Sequence, residues 1–324
     1  MIRKGKTMKR FFIGIFLCWF CFLPALHAAE GKLKIVATTT FNADLVKKIG
    51  GDRVEVKSVA PPKFNIHFIQ PKPSDIRNLA KADLYVNGGL DLEAWSDPLV
   101  EAVGRPEFFR GGTKSLDLSE GVTLLKPPSG ILSRSQGDQH LFGNPHYHLN
   151  PENVKIMSRT LMAKLKEIDP MGASVYQANE DSFLSEMDRR IAVWKSSGAA
   201  CSGKEVYAYH DEVVYLTDFL GMRSELYLEP KPGIPPTPKH IEELEAYAKD
   251  HAIKAILQTT YFPTATSEAL GKRVGAPVVL IAHNVGEISG TDDIFSFYDT
   301  DIQKVTEACL PAARLPDGQG QAGR

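Results

Sequence analysis

A chain of 324 residues is too long for one small core and suits two lobes, and 43% hydrophobic with 24% charged residues is the composition of a globular protein. The formal net charge of −1 gives no electrostatic reason to expect nucleic acid or an anionic membrane surface as a partner.

The chain opens with an export signal. Arg3, Lys4, Lys6, Lys9 and Arg10 form a basic start, residues 11–26 are apolar, and Ala28 and Ala29 precede polar Glu30. This pattern predicts a cleaved signal peptide over 1–29. The apolar run is shorter than the ~20 residues of a membrane span. Bulky residues before Cys18 and Cys21 argue against lipidation. Cleavage removes both of those cysteines. It leaves Cys201 and Cys309, an even pair in an oxidising compartment, which predicts one disulfide.

The mature chain begins with a strand at 33–39, a helix from Asn42 that Gly50 and Gly51 end, and a strand at 54–60. A proline-stiffened loop at 61–73 carries His67. Ser74 caps a helix over 75–81, a strand follows at 83–86, and 91–103 is helical with Trp95 and Leu99 on one face. Strands and helices alternating at this spacing predict a parallel sheet with crossover helices. Residues 119–145 form a long loop carrying His140, and loops of that length in compact domains are usually functional or mobile. The stretch GNPHYHLNPEN at 143–153 then places His146 and His148 just ahead of a strong helix start. Asn150 is a good N-cap, and Pro151 fits the first helical position. Val154, Met157, Leu161, Leu165 and Ile168 carry the helical period.

Asp169-Pro170 restarts the chain as a helix to about Lys195, ~40 Å long at ~1.5 Å per residue, a stiff strut between lobes. After 196–203 the alternation repeats. A strand at 205–209 ends at His210, a helix runs through Leu220, and a strand follows at 224–228. Beyond the proline-rich loop at 229–238 come a helix, a strand at 255–260, a helix at 266–274, and a strand at 277–282 ending at His283. The last helix covers about 292–308, and the Gly-, Pro- and polar-rich tail 311–324 is expected to be disordered. The expected fold class is α/β, with two similar lobes of parallel sheet at 30–168 and 198–310, joined by one linking helix at 169–197.

Of nine histidines, His27 leaves with the signal, and His240 and His251 lie among polar neighbours at helix ends. His210 and His283 stand at the carboxyl ends of predicted strands, and His67 and His146 lie in loops of the first half. Open α/β sheets bind ligands outside the carboxyl ends of their strands. Two facing lobes would bring these four imidazoles into one cleft, as a closed tetrahedral shell suited to Zn²⁺. Residues one apart in an extended loop point to opposite sides, so His148 packs or supports while His146 binds. His140 is a candidate transient ligand for capture. Catalytic motifs are absent: there is no H-E-x-x-H, no G-x-S-x-G and no Gly-rich phosphate loop. Glu212 is the best available general base, and it is weak.

At these residues the chain resembles the periplasmic substrate-binding proteins of zinc and manganese ABC transporters, the ZnuA and TroA type. The carriers are IVATTT at 35–40, HFIQPKPSD at 67–75, ADLYVNGG at 82–89, NPHYHLNPEN at 144–153, PMGASVYQAN at 170–179 and YAYHD at 207–211. The resemblance implies two α/β lobes, a linking helix and a metal ion buried between the lobes. His67, His146 and His210 match the first three ligands of the family. The fourth is usually a carboxylate after the last strand; here that position holds His283, with Glu287, Asp292, Asp293 or water as alternatives. Asn144 and His148 also depart from the usual Asp and Trp of the central motif, and only residues 136–140 hint at the histidine- and acid-rich loop of many zinc members.

The function implied is a periplasmic binding protein, not an enzyme and monomeric. It would hand a divalent ion to an ABC permease in the inner membrane. An all-imidazole shell favours Zn²⁺ over Mn²⁺, which prefers oxygen donors, although copper and nickel also accept imidazole. Two other readings are a secreted zinc hydrolase using three histidines, water and Glu212, and a surface adhesion module stapled by metal.

Overall fold

The computed structural model describes residues 31–127, 140, 142–231 and 233–311. The expected signal peptide, all of the expected tail beyond Pro311, and most of the loop before His140 lie outside these residues.

Two parallel sheets form the frame. In the first, β1 (Leu33–Ala37), β2 (Val54–Ser58), β3 (Leu84–Asn87) and β4 (Ser115–Asp117) lie in the order β2-β1-β3-β4. In the second, β5 (Glu205–Ala208), β6 (Ile253–Thr259) and β7 (Val278–Ile281) lie in sequence order. Every pairing between these strands is parallel. Helices cover both faces, and the strands β3, β5 and β6 are buried almost throughout, whereas β2 and β4 at the edges of the first sheet alternate.

The helices follow from local chemistry. In α1 (Thr40–Gly50), Thr39 caps the Asn42 amide, and Phe41, Leu45, Val46 and Ile49 fill the buried face. Helices α2 (Pro73–Leu79) and α3 (Ser96–Val103) flank β3. The expected helix at 91–103 starts only at Ser96, because Leu90 and Asp91 have φ of 55° and 60° and cannot belong to a right-handed helix. In α4 (Pro151–Ile168), Asn150 accepts from the Glu152 amide and Pro151 opens the helix, as expected.

The long helix α5 (Ala173–Gly198) follows a 3₁₀ turn at Pro170–Gly172 that Asp169 caps. Its 26 residues span about 39 Å. Asn179 donates to the Ile49 carbonyl of α1 at 3.0 Å. Toward the other end, Trp194 Nε1 donates to Asp299 of α9 (Ile294–Cys309) at 2.8 Å, and Arg190 pairs with the same carboxylate. The second half is completed by α6 (Val214–Phe219), α7 (Pro238–Tyr247) and α8 (Ala265–Val274).

Two further expectations differ. The strand at 224–228 is not a continuous ladder: it touches β5 at two isolated bridges, Glu205–Arg223 and Ala208–Tyr227. Strand β4 was not anticipated, because three residues with one buried side chain, Leu116, show no period.

One hydrophobic cluster runs through both sheets. It includes Ile35 and Val86 of the first, Met187 and Ile191 of α5, Ala208 and Leu257 of the second, and Ile302 and Val305 of α9. Separate clusters line the other face of each sheet.

Cys201 and Cys309 stand with their sulfurs 2.12 Å apart and their Cα atoms 5.2 Å apart, across a sequence separation of 108. A bridge closing that loop stabilises by about 4–5 kcal/mol in the chain-entropy model. The chain from Glu30 onward, unfolded without reductant, should therefore show no reactive thiol, and Cys201→Ser with Cys309→Ser should lower its unfolding free energy by roughly that amount. Two reactive thiols in the unreduced protein would contradict the bridge.

Candidate metal centre

His67 lies in a 3₁₀ turn, Ile66–Phe68, in the loop after β2. Asn65 Oδ1 accepts from its amide at 3.0 Å, and Trp95 Nε1 anchors the turn through the Ile66 carbonyl at 2.6 Å. His146 is fully buried ahead of α4, and its amide donates to Asn144 Oδ1 at 3.0 Å. Asn144 also ties this loop to the second half: its Nδ2 donates to the Asp211 carbonyl, and its own carbonyl accepts from the Tyr215 hydroxyl, both at 2.8 Å. His210 follows β5, and its Nδ1 is 2.8 Å from Glu229 Oε2.

These three histidines each offer a ring nitrogen within 4.8 Å of the others. Their ring centroids are 5.1 Å (His67–His146), 5.9 Å (His67–His210) and 5.7 Å (His146–His210) apart. In each, Nε2 is buried and has no hydrogen-bond partner among the described residues, although Asp211 Oδ1 lies 3.3 Å from that of His210. Buried polar atoms are nearly always paired, so three orphans gathered in one place mark a site for something that brings its own acceptor orbitals. A tetrahedral ion at ~2.0–2.1 Å from each nitrogen holds its ligands about 3.4 Å apart. The group's nitrogens, within 4.8 Å of one another, are close enough to contract to that spacing through small side-chain movements.

The other expected residues fall around this group. His283 is not one of the three: its Nε2 lies 2.8 Å from Nδ1 of His146. Glu287 is occupied by the amides of His283, Asn284 and Thr260 and by the Thr260 hydroxyl. Asp293 caps α9 and pairs with Lys48, and Asp292 is exposed. His148 turns away, its Nε2 on the His283 carbonyl at 3.1 Å and its ring against Phe41. The segment is a 3₁₀ turn, Tyr147–Leu149, and not the extended loop anticipated. The ring of His140 stands 5.2 Å from His67 and 6.1 Å from His146. Glu212 accepts from Thr259 Oγ1 at 2.8 Å and from the Tyr261 hydroxyl. Sequence reading missed Glu229, whose only signal was a carboxylate just after a predicted strand in EPKPG. It also missed Asp211, whose Oδ1 is buried without a hydrogen-bond partner and lies 3.3 Å from His210 Nε2.

Protonation differs among the three. Burial, together with the neighbouring imidazoles, holds His67 and His146 well below the usual histidine range, so both are neutral at pH 7. Burial also acts to lower His210, but the hydrogen bond to Glu229 and the charges of Asp211 and Glu212 raise it to about 9. Burial takes His148 down to about 4 and pushes Glu212 up to about 7.

The profile of a family described as zinc-uptake complex component A, periplasmic (ZnuA) matches residues 35–308. The chain belongs to this family. It is accordingly a substrate-binding protein of the metal ABC transporter class and not an enzyme, so Glu212 has no catalytic part. It is similar to the manganese ABC transporter substrate-binding lipoprotein PsaA of Streptococcus mitis, 25% identical over 81% of this chain and 88% of that protein. It is also similar to the high-affinity zinc uptake system protein ZnuA of Bacillus subtilis (strain 168), at 24% over 81% of this chain and 85% of that one. A crystal structure of ZnuA matches the fold with a TM-score of 0.73 at 24% identity, covering 86% of this chain and 100% of the other.

The protonation pattern has a measurable consequence. Below about 9 the empty His210 ring carries a second proton, and a ring that ligates through Nε2 cannot keep it. Metal binding at neutral pH should release about one proton per ion, read as the dependence of binding heat on buffer ionisation. Affinity should rise about tenfold per pH unit from neutral to about 9 and then level. An affinity constant over that range would contradict a protonated His210.

Proposed function

We propose that this chain captures a divalent transition metal ion, zinc before others, outside the cytoplasm and delivers it to an ABC permease for import. The convergence of three orphaned Nε2 atoms from His67, His146 and His210 carries the reading. Imidazole nitrogens suit zinc better than manganese, which prefers carboxylate and water oxygen. The zinc uptake protein of Bacillus subtilis supports this choice, and the manganese protein of Streptococcus mitis is the reason to test it.

In this reading residues 1–29 direct export and are removed, and the Cys201–Cys309 bridge forms in the oxidising compartment, the periplasm. Residues 30–168 and 198–310 act as the two lobes and 169–197 as the link between them, with the protein working as a monomer. The half-buried His140, beside the group, meets the ion first. His67 and His146 from one lobe and His210 from the other then enclose it. Glu229 holds the His210 ring so that Nε2 faces the ion, an arrangement that raises ligand basicity. The loaded protein docks on the permease, and no chemical step occurs on the way.

His67→Ala or His210→Ala should weaken zinc binding by more than the ~100-fold typical of losing a supporting residue. His251→Ala should leave it unchanged, because His251 stacks on Tyr247 and pairs with Glu205. Titration calorimetry of the stripped mature proteins measures both. Equal affinities in all three variants would rule out this site.

A further inference from the structure

We propose that His283 aims His146 at the ion and does not itself bind it. The proposal rests on the metal-binding reading of the same site.

The argument is one of donors and acceptors. An imidazole that gives the Nε2 lone pair to an ion keeps its proton on Nδ1. That Nδ1–H on His146 is fully buried, and the atom 2.8 Å away is Nε2 of His283. The lone pair of His283 Nε2 is therefore the acceptor, and a lone pair that accepts a hydrogen bond is not available to a metal. The proton of the His283 ring then sits on its own Nδ1, a buried atom with no hydrogen-bond partner among the described residues; Nδ1 lies across the ring from His146, and it is Nε2 that meets the group. The rings agree with this division. His283 stands 4.9 Å from His146 and 4.6 Å from His148, on the side of His146 that faces away from Nε2. It bears the same relation to His146 that Glu229 bears to His210, each 2.8 Å from an Nδ1.

The position is built, not incidental. The His283 amide donates to Glu287 Oε2 at 2.7 Å, and its carbonyl accepts from His148 Nε2 at 3.1 Å. Glu287 is itself held by the Thr260 hydroxyl at 2.6 Å. This places His283 rigidly at the end of β7, with no exposure to solvent. The role also bears on selectivity. His210 has an anionic partner and His146 a neutral one, and the turn after β7 supplies no carboxylate oxygen to the ion. Asp211 Oδ1 lies 3.3 Å from His210 Nε2, but three imidazoles outnumber it, and a centre dominated by imidazole favours zinc over manganese.

X-ray absorption at the zinc edge counts imidazole ligands directly, and the test compares loaded wild type with His283→Leu and His283→Gln. The glutamine keeps an acceptor oxygen for His146; the leucine removes it. The expected result is the same imidazole count in all three. Zinc affinity should fall about 10–100-fold in His283→Leu and be largely recovered in His283→Gln. If His283→Leu fails to fold, the count in His283→Gln decides alone. One imidazole fewer in the variants, with wild type normally loaded, would overturn the role of His283 and leave the functional reading intact. A wild type that binds no zinc would instead overturn the functional reading and this proposal with it.

Discussion

The candidate centre turns on three buried ring nitrogens that have no hydrogen-bond partner among the described residues, the one on His210 facing the Asp211 carboxylate at 3.3 Å. Leaving a buried polar atom unsatisfied costs about 1–3 kcal/mol, and the Nε2 atoms of His67, His146 and His210 are gathered in that condition. In the proposed reading an ion relieves all three at once. The surroundings serve that arrangement: Asn65 and Asn144 fix the backbone of the first two histidines, and Glu229 fixes the ring of the third. None of these supports touches Nε2, so the binding atoms stay available while the rings are held. Preorganisation of this kind lets affinity come from coordination without being spent on ordering the ligands.

The frame explains how residues so far apart in sequence keep this spacing. The main hydrophobic cluster is continuous from the first sheet through α5 to the second. Thr40 bonds to the Val285 carbonyl at 2.7 Å, Asp44 accepts from the Ile294 amide at 2.9 Å, and Lys48 pairs with Asp293 at 2.7 Å. Separating the two sheets would break that core as well as these bonds.

Much of this was legible in the residues. Alternating strands and helices gave the parallel sheets, and Asn150 with Pro151 fixed the start of α4. The positions of His67 and His210 after strands placed them at one cleft, because strand ends are geometric landmarks that a pattern can locate. What stayed hidden depended on side-chain direction. His283 also follows a strand, and its Nε2 lies against Nδ1 of His146, a position set by the turn that Glu287 holds. Glu229 lies 19 residues from His210 in a proline-rich loop whose path no periodicity describes. The late start of α3 came from two left-handed residues, Leu90 and Asp91, neither of them a glycine that would have marked the turn.

The central claim is that an imidazole-dominated site selects its ion. The most direct measurement is elemental analysis of the mature protein, stripped of metal and then reloaded from an equimolar mixture of zinc, manganese, copper, nickel and iron salts. The account predicts one zinc per chain. Manganese in preference to zinc, or no bound metal, would contradict it.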